Sequence, residues 1–202
     1  MKKLAVFFAV VAMCSFTGLK DPLTAKERKF ASDFLTDTRN TLMDITKNLS
    51  EEQLKYKTAP DRWSVEDCVK HIAAAENGIW KMEDSIINSP VNPEKRSEIK
   101  NSDEQIIAMI TDRTMKAQAP ESIRPENTPY KSYQEAIKSF YESRDRLINF
   151  INTTDKDLRG HVVSFPIGVF DSYQMVLFIG AHSKRHTLQI HEVMTDPGFP
   201  KQ

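Results

Sequence analysis

Apolar residues along this chain return at spacings of three and four over long stretches, with no convincing run of strand-type alternation, so the pattern predicts helices. From Thr24 to Leu49, the residues Phe30, Phe34, Leu42, Ile45 and Leu49 lay one stripe along a long helix, and Ser50-Glu51-Glu52 starts a short turn leading to Pro60. Ser64 is placed to N-cap a second helix. Asp67, three residues on, stands where a capping box has Glu or Gln, so an imperfect box is expected. Cys68, Ile72, Ala75, Ile79, Met82 and Ile86 then alternate spacings of four and three, a bundle-type seam running to about Asn88 before Pro90 and Pro93.

The stretch from Val91 to Tyr130 is the least regular: a shorter helix from about Asp103 to Gln118, then prolines at 120, 125 and 129. It reads as a crossover with an embedded helix. Ser132 caps a strong helix through Asn152, with Tyr133, Ile137, Phe140, Tyr141, Leu147, Ile148 and Ile151 on its inner side. Thr153 to Asp171 is expected to be a loop, and Ser172 to open a last helix that ends near Thr195, ahead of Pro197 and Gly198. Four long amphipathic helices and one short extra helix predict an all-α four-helix bundle.

Charge narrows the partners. Lys plus Arg number 28 and Asp plus Glu 28 in 202 residues, so no net field draws the chain toward nucleic acid or anionic membranes. At the start, two lysines precede an apolar run from Leu4 to Met13 and then small residues, the layout of a secretory signal peptide. The expected organisation is a signal peptide at 1–20 and one domain at 21–202, exported to a periplasmic or extracellular space. The run is too short for stable membrane insertion. A lipoprotein anchor at Cys14 is disfavoured because Met13 stands where that pattern has a small residue. With the leader removed, Cys68 is the only cysteine, so no intramolecular disulfide forms. A lone cysteine in a helical pattern reads as a small buried hydrophobe, not a nucleophile.

The last predicted helix carries His182 and His186 at i, i+4, about 40° apart around the axis. Met175, Phe178 and Ile179 before them and Ile190 and Val193 after them place both rings on the core face. Burying two imidazoles there is costly unless their nitrogens find partners, and a metal ion satisfies both. His71, beside the seam of the second helix, is the candidate third ligand, and Ala74, Ala75 and Gly78 beyond it suggest a cavity. Three neutral imidazoles suit Zn, Ni or Fe(II), and without a cysteine cluster the site stays open for water or substrate. The plainer alternative is three hydrogen-bonded core or surface histidines. His191 is expected on the opposite side of the helix, His161 on a surface loop, and Glu76 pointing away from the metal. Gln189 returns to the ligand face as a hydrogen-bond partner for a ligand ring or bound water, or as an ordinary interhelical contact.

Arg62-Trp63-Ser64-Val65 leading into Val69-Lys70-His71-Ile72, and His182 through Ile190, resemble the DinB-like superfamily of metal-binding four-helix bundles, with helix order matching over about residues 24 to 195. In that family the first histidine comes from the second helix and two from the last, which implies His71, His182 and His186 as ligands of a divalent metal such as Zn or Ni. A homodimer is frequently implied. The family's name points to DNA damage, but this sequence has no nucleic-acid footprint. Relatives include thiol-dependent S-transferases and isomerases and metal-dependent hydrolases. Export would remove the chain from small cytoplasmic thiols, which favours hydrolysis of a small molecule. Thiol transfer, and a non-catalytic metal- or ligand-binding bundle, are the alternatives. No general base is identified.

Overall fold

The computed structural model describes residues 23–114 and 118–201. The predicted signal peptide, with Cys14, lies outside the described residues. Four long helices form the body: α1 (Ala25–Thr46), α3 (Val65–Ile87), α5 (Tyr133–Thr153) and α6 (Ser172–Met194), with single-turn α2 (Glu51–Lys55) and short α4 (Asp103–Thr111) between them. The fold is the four-helix bundle expected from the periodicity. No described helix is long and apolar enough to cross a membrane.

Side-chain pairings give the helix directions. Lys70 with the Lys131 carbonyl just before α5, Asn77 with Ser139 and Trp80 with Phe150 advance together along α3 and α5, so these two run parallel. Thr46 with Tyr133, Thr38 with Arg144 and Arg28 with the Thr154 carbonyl run in opposite order, so α1 is antiparallel to α5. A parallel pair cannot be joined by a tight turn, which is why the long crossover with α4 stands between α3 and α5. Its irregular stretches contain 3-10 turns at Pro93–Glu98, Glu121–Ile123 and Pro125–Asn127.

Every long helix has a side-chain N-cap. Ser64 accepts from the Asp67 N–H and the Asp67 carboxylate accepts from the Ser64 N–H, both at 3.1 Å, so the expected imperfect box is complete. On α1 the buried stripe is Ala31, Leu35, Thr38, Leu42 and Thr46, rotated from the expected one: Phe30 is exposed and Phe34 half-buried. The threonines can be buried because each hydroxyl donates to a carbonyl one turn back, and Thr46 also accepts from Tyr133. On α5, Tyr141 is exposed beneath Arg39 instead of facing inward, and Arg144 takes an interior position.

Two expectations fail outside the bundle. The crossover helix stops at Thr111 because the Asp112 carboxylate accepts from the Thr114 N–H and hydroxyl, a local turn that competes with the helix. The expected loop from Thr153 to Asp171 contains an antiparallel hairpin, β1 (Val162–Phe165) with β2 (Gly168–Asp171), turning over Pro166 and Ile167. Gly168, at φ 152°, supplies backbone geometry that L residues rarely adopt. Asn92 brackets the hairpin by bonding both the N–H and the carbonyl of Val162. At the same end Arg159 bonds Glu27, Asp103 and Asp171 and lies over the Tyr173 ring, tying α1, α4 and α6 together.

Candidate metal centre

The cap at Ser64 fixes where α3 begins, and two turns later its inward face presents His71. Opposite, the middle of α6 presents His182 and His186. All three ligand atoms lie within 4.8 Å of one another. His71 Nε2 is 3.3 Å from His182 Nε2, and the ring centroids are 5.0, 4.5 and 4.6 Å apart. Two imidazole nitrogens at roughly 2.0–2.1 Å from a tetrahedral zinc stand about 3.3–3.4 Å apart. The donor set and its spacing therefore fit a divalent ion.

Hydrogen bonds decide which nitrogen faces inward. His71 Nδ1 is 2.8 Å from the Ile123 carbonyl, which can only accept, so Nδ1 carries the proton and Nε2 keeps its lone pair. His186 Nδ1 is 3.0 Å from Gln189 Oε1, with the same consequence. Outer partners of this kind hold a ligand ring at its angle and fix its tautomer. Gln189 thus takes the role of partner to a ligand ring.

Burial sets the charge state. Desolvation lowers the pKa of all three histidines: His186 well below its usual range, and His182 to about 3, with His71 and nearby arginines adding to the shift. All three are neutral at pH 7, the form that binds metal. The Trp63 ring covers one side, 4.8 Å from His71 and 5.8 Å from His186, and Phe178 stacks on His182 at 6.1 Å. His71 and His186 are 2% and 8% exposed, whereas His182 keeps more of its surface open.

Glu76 points away from the histidines, as expected, and forms a buried ion pair with Arg144. His191 is exposed and Cys68 is buried, its thiol pKa raised mainly by desolvation. Two expectations are corrected. His161 is buried, at 4% exposure, because the hairpin and the start of α6 close over it; its carbonyl accepts from the Ser172 N–H. Gly78 is exposed with open space where a Cβ would stand, and Ala74 is half-buried, so these small residues border solvent instead of enclosing a cavity. The Ile123 carbonyl and Arg113, which bonds Gln189, went unseen in the sequence because both come from the irregular crossover. Trp63 offered one signal: an apolar residue just before an N-cap commonly packs over its helix.

A family model of the DinB superfamily matches residues 35–190. The uncharacterized protein YuaE of Bacillus subtilis (strain 168) is 26% identical over 151 residues, covering 73% of this chain and 86% of YuaE. The fold is similar to that of YfiT from Bacillus subtilis, with a TM-score of 0.59 and 13% identity over 90% of this chain and 93% of that one. YfiT is described as a probable metal-dependent hydrolase with an unusual four-helix bundle topology.

Proposed function

The chain belongs to the DinB superfamily, and from that premise we propose that it is a metal-dependent hydrolase of a small molecule, with one zinc ion held by His71, His182 and His186. The observation that carries the proposal is the convergence of three neutral imidazoles in a group that, among the described residues, contains no fourth histidine, cysteine or carboxylate. A four-coordinate ion held by these three would keep one position for water or substrate. Three imidazole donors suit zinc, and the 3.3 Å between His71 Nε2 and His182 Nε2 is compatible with it. The similar fold of YfiT supports the same reaction class.

A zinc ion in this site would supply Lewis-acid polarisation of a substrate oxygen and lower the pKa of a water at the free position. His71 and His186, oriented by Ile123 and Gln189, would hold it at fixed angles. Trp63, beside His71 and His186, and Phe178, stacked on His182, would exclude bulk water from two sides. Glu76 supplies no proton transfer there, since both its oxygens are bonded to Arg144. The leader-like first 20 residues support an exported enzyme, away from small cytoplasmic thiols, with water as the acceptor.

The test is a screen of zinc-loaded protein against small carboxylate and phosphate esters, with chelator, zinc re-addition and His182→Ala as controls. The proposal predicts turnover that chelation abolishes, zinc restores and the variant lacks. Equal rates in the variant, or turnover that requires an added thiol, would contradict it.

A further inference from the structure

We propose that Arg113, two residues past the end of α4, is a positioning residue that sets the tautomer of His186. Its Nε and Nη2 meet the two carboxylate oxygens of Glu192 on α6 at 2.7 Å each, which pins the guanidinium fork against that helix. The remaining edge then lies over Gln189, with Nη1 donating to Oε1 at 3.3 Å. The same Oε1 is 3.0 Å from His186 Nδ1.

This arrangement has one consistent proton assignment. A guanidinium has only donors, so the amide must turn its oxygen, not its NH2, toward Arg113. That oxygen also faces His186 Nδ1, and two acceptors cannot bond each other, so Nδ1 carries the ring's single proton. Nε2 is left with the lone pair, on a ring whose centroid is 4.5 Å from that of His71 and 4.6 Å from that of His182. Without Arg113 nothing in this trio prevents the amide from rotating by half a turn. Its NH2 would then donate to Nδ1, the ring proton would move to Nε2, and the ligand atom would be blocked. Together with the Ile123 carbonyl on His71, Arg113 makes the crossover the outer support of two of the three histidines.

The consequence for metal rests on the zinc reading above, but the tautomer does not, so the two are tested separately. In metal-free protein labelled with 15N at histidine, long-range NMR correlations at pH 7 report which nitrogen of His186 is protonated; zinc affinity is read by competition with a chelating dye. Wild type is expected to show Nδ1–H. Arg113→Met should populate Nε2–H and weaken zinc binding about tenfold or more. Arg113→Met/Gln189→Glu, whose carboxylate can only accept, should return to Nδ1–H and regain most of the affinity. Nδ1–H persisting in Arg113→Met, whether or not affinity falls, or a double variant no better than the single one, would overturn the proposal. Wild type that binds no zinc would end the metal reading, while the tautomer would still decide the role of Arg113.

Discussion

Arg144 grips Glu76 through two parallel hydrogen bonds, Nε to Oε1 at 2.9 Å and Nη2 to Oε2 at 2.6 Å, wholly inside the bundle. The other N–H groups of the fork reach the Leu35 carbonyl, the Thr38 hydroxyl and the Ser183 hydroxyl, so all five donors are satisfied. The pair joins α3 to α5 and, through Thr38 and Ser183, reaches α1 and α6. Ser183 directly follows His182, so this lock sits beneath the candidate metal centre.

Removing one partner of a buried pair leaves an uncompensated charge. Glu76→Ala should therefore destabilise the protein by about 3–5 kcal/mol, read as a lower midpoint in urea with an unchanged slope. Glu76→Leu/Arg144→Met, with no orphaned charge, should be clearly more stable than Glu76→Ala. A single variant that loses less than about 1 kcal/mol would show that the pair does not hold the helices together.

His182→Ala and His186→Ala should each abolish zinc uptake, whereas His191→Ala, on the exposed side of the same helix, should bind as wild type does. Dialysis against zinc followed by metal analysis distinguishes them. Zinc loss in the His191 variant would place the ligand face wrongly.

Glu83 is 1% exposed and no charged group is paired with it among the described residues; burial pushes its pKa up to about 7 against the opposing effect of the Ser172 hydroxyl beside it. In the unfolded chain it titrates near 4.5. Between these values the folded state binds more protons, so this group's contribution to stability falls as pH rises from 4.5 toward 7. Glu83→Gln should therefore stabilise the protein on the order of 2–3 kcal/mol more at pH 8 than at pH 4.5. Melting temperatures of the two proteins across that range give the answer, and a difference that does not grow with pH would exclude a buried ionisable carboxyl.

Depressed histidine pKa values have a calorimetric signature. At pH 6, three ordinary imidazoles would lose roughly two protons in total on binding zinc. Here desolvation lowers all three, and holds His182 and His186 unprotonated at that pH before zinc arrives. Titrations at pH 6 in buffers of different ionisation enthalpy should therefore give heats that differ by much less than the release of two protons requires. The sign for folding is the converse: the stability contributed by these neutral rings is full above about pH 6.5 and declines as pH falls, because the unfolded chain takes up the protons first.

The four long helices, most of their ends and the core-facing histidine pair were legible because they rest on the 3.6-residue period, which survives in a single sequence; the single-turn α2, too short to show a period, reads as a turn. The rest depended on polar groups finding partners far away in the chain. Thr38, Thr46, Glu76 and Arg144 look like surface residues in the sequence, and only the assembled bundle supplies the carbonyls and charges that let them be buried. Phe30 broke the other way: its apolar side chain stays exposed while Ala31 and Leu35 take the seam. The hairpin was missed because each strand is only 4 residues long, too short for alternation to register, and Asn92 fixes it from 70 positions away. At the site, the ligand histidines carried a signal, but Ile123 and Arg113 did not, since a backbone carbonyl and a crossover arginine follow no period.

The most direct test of the central claim is the metal content of untagged protein after zinc addition and exhaustive dialysis. Near one equivalent of zinc per chain, absent from His182→Ala, is the predicted result. Less than about a tenth of an equivalent would contradict a shared ion among His71, His182 and His186.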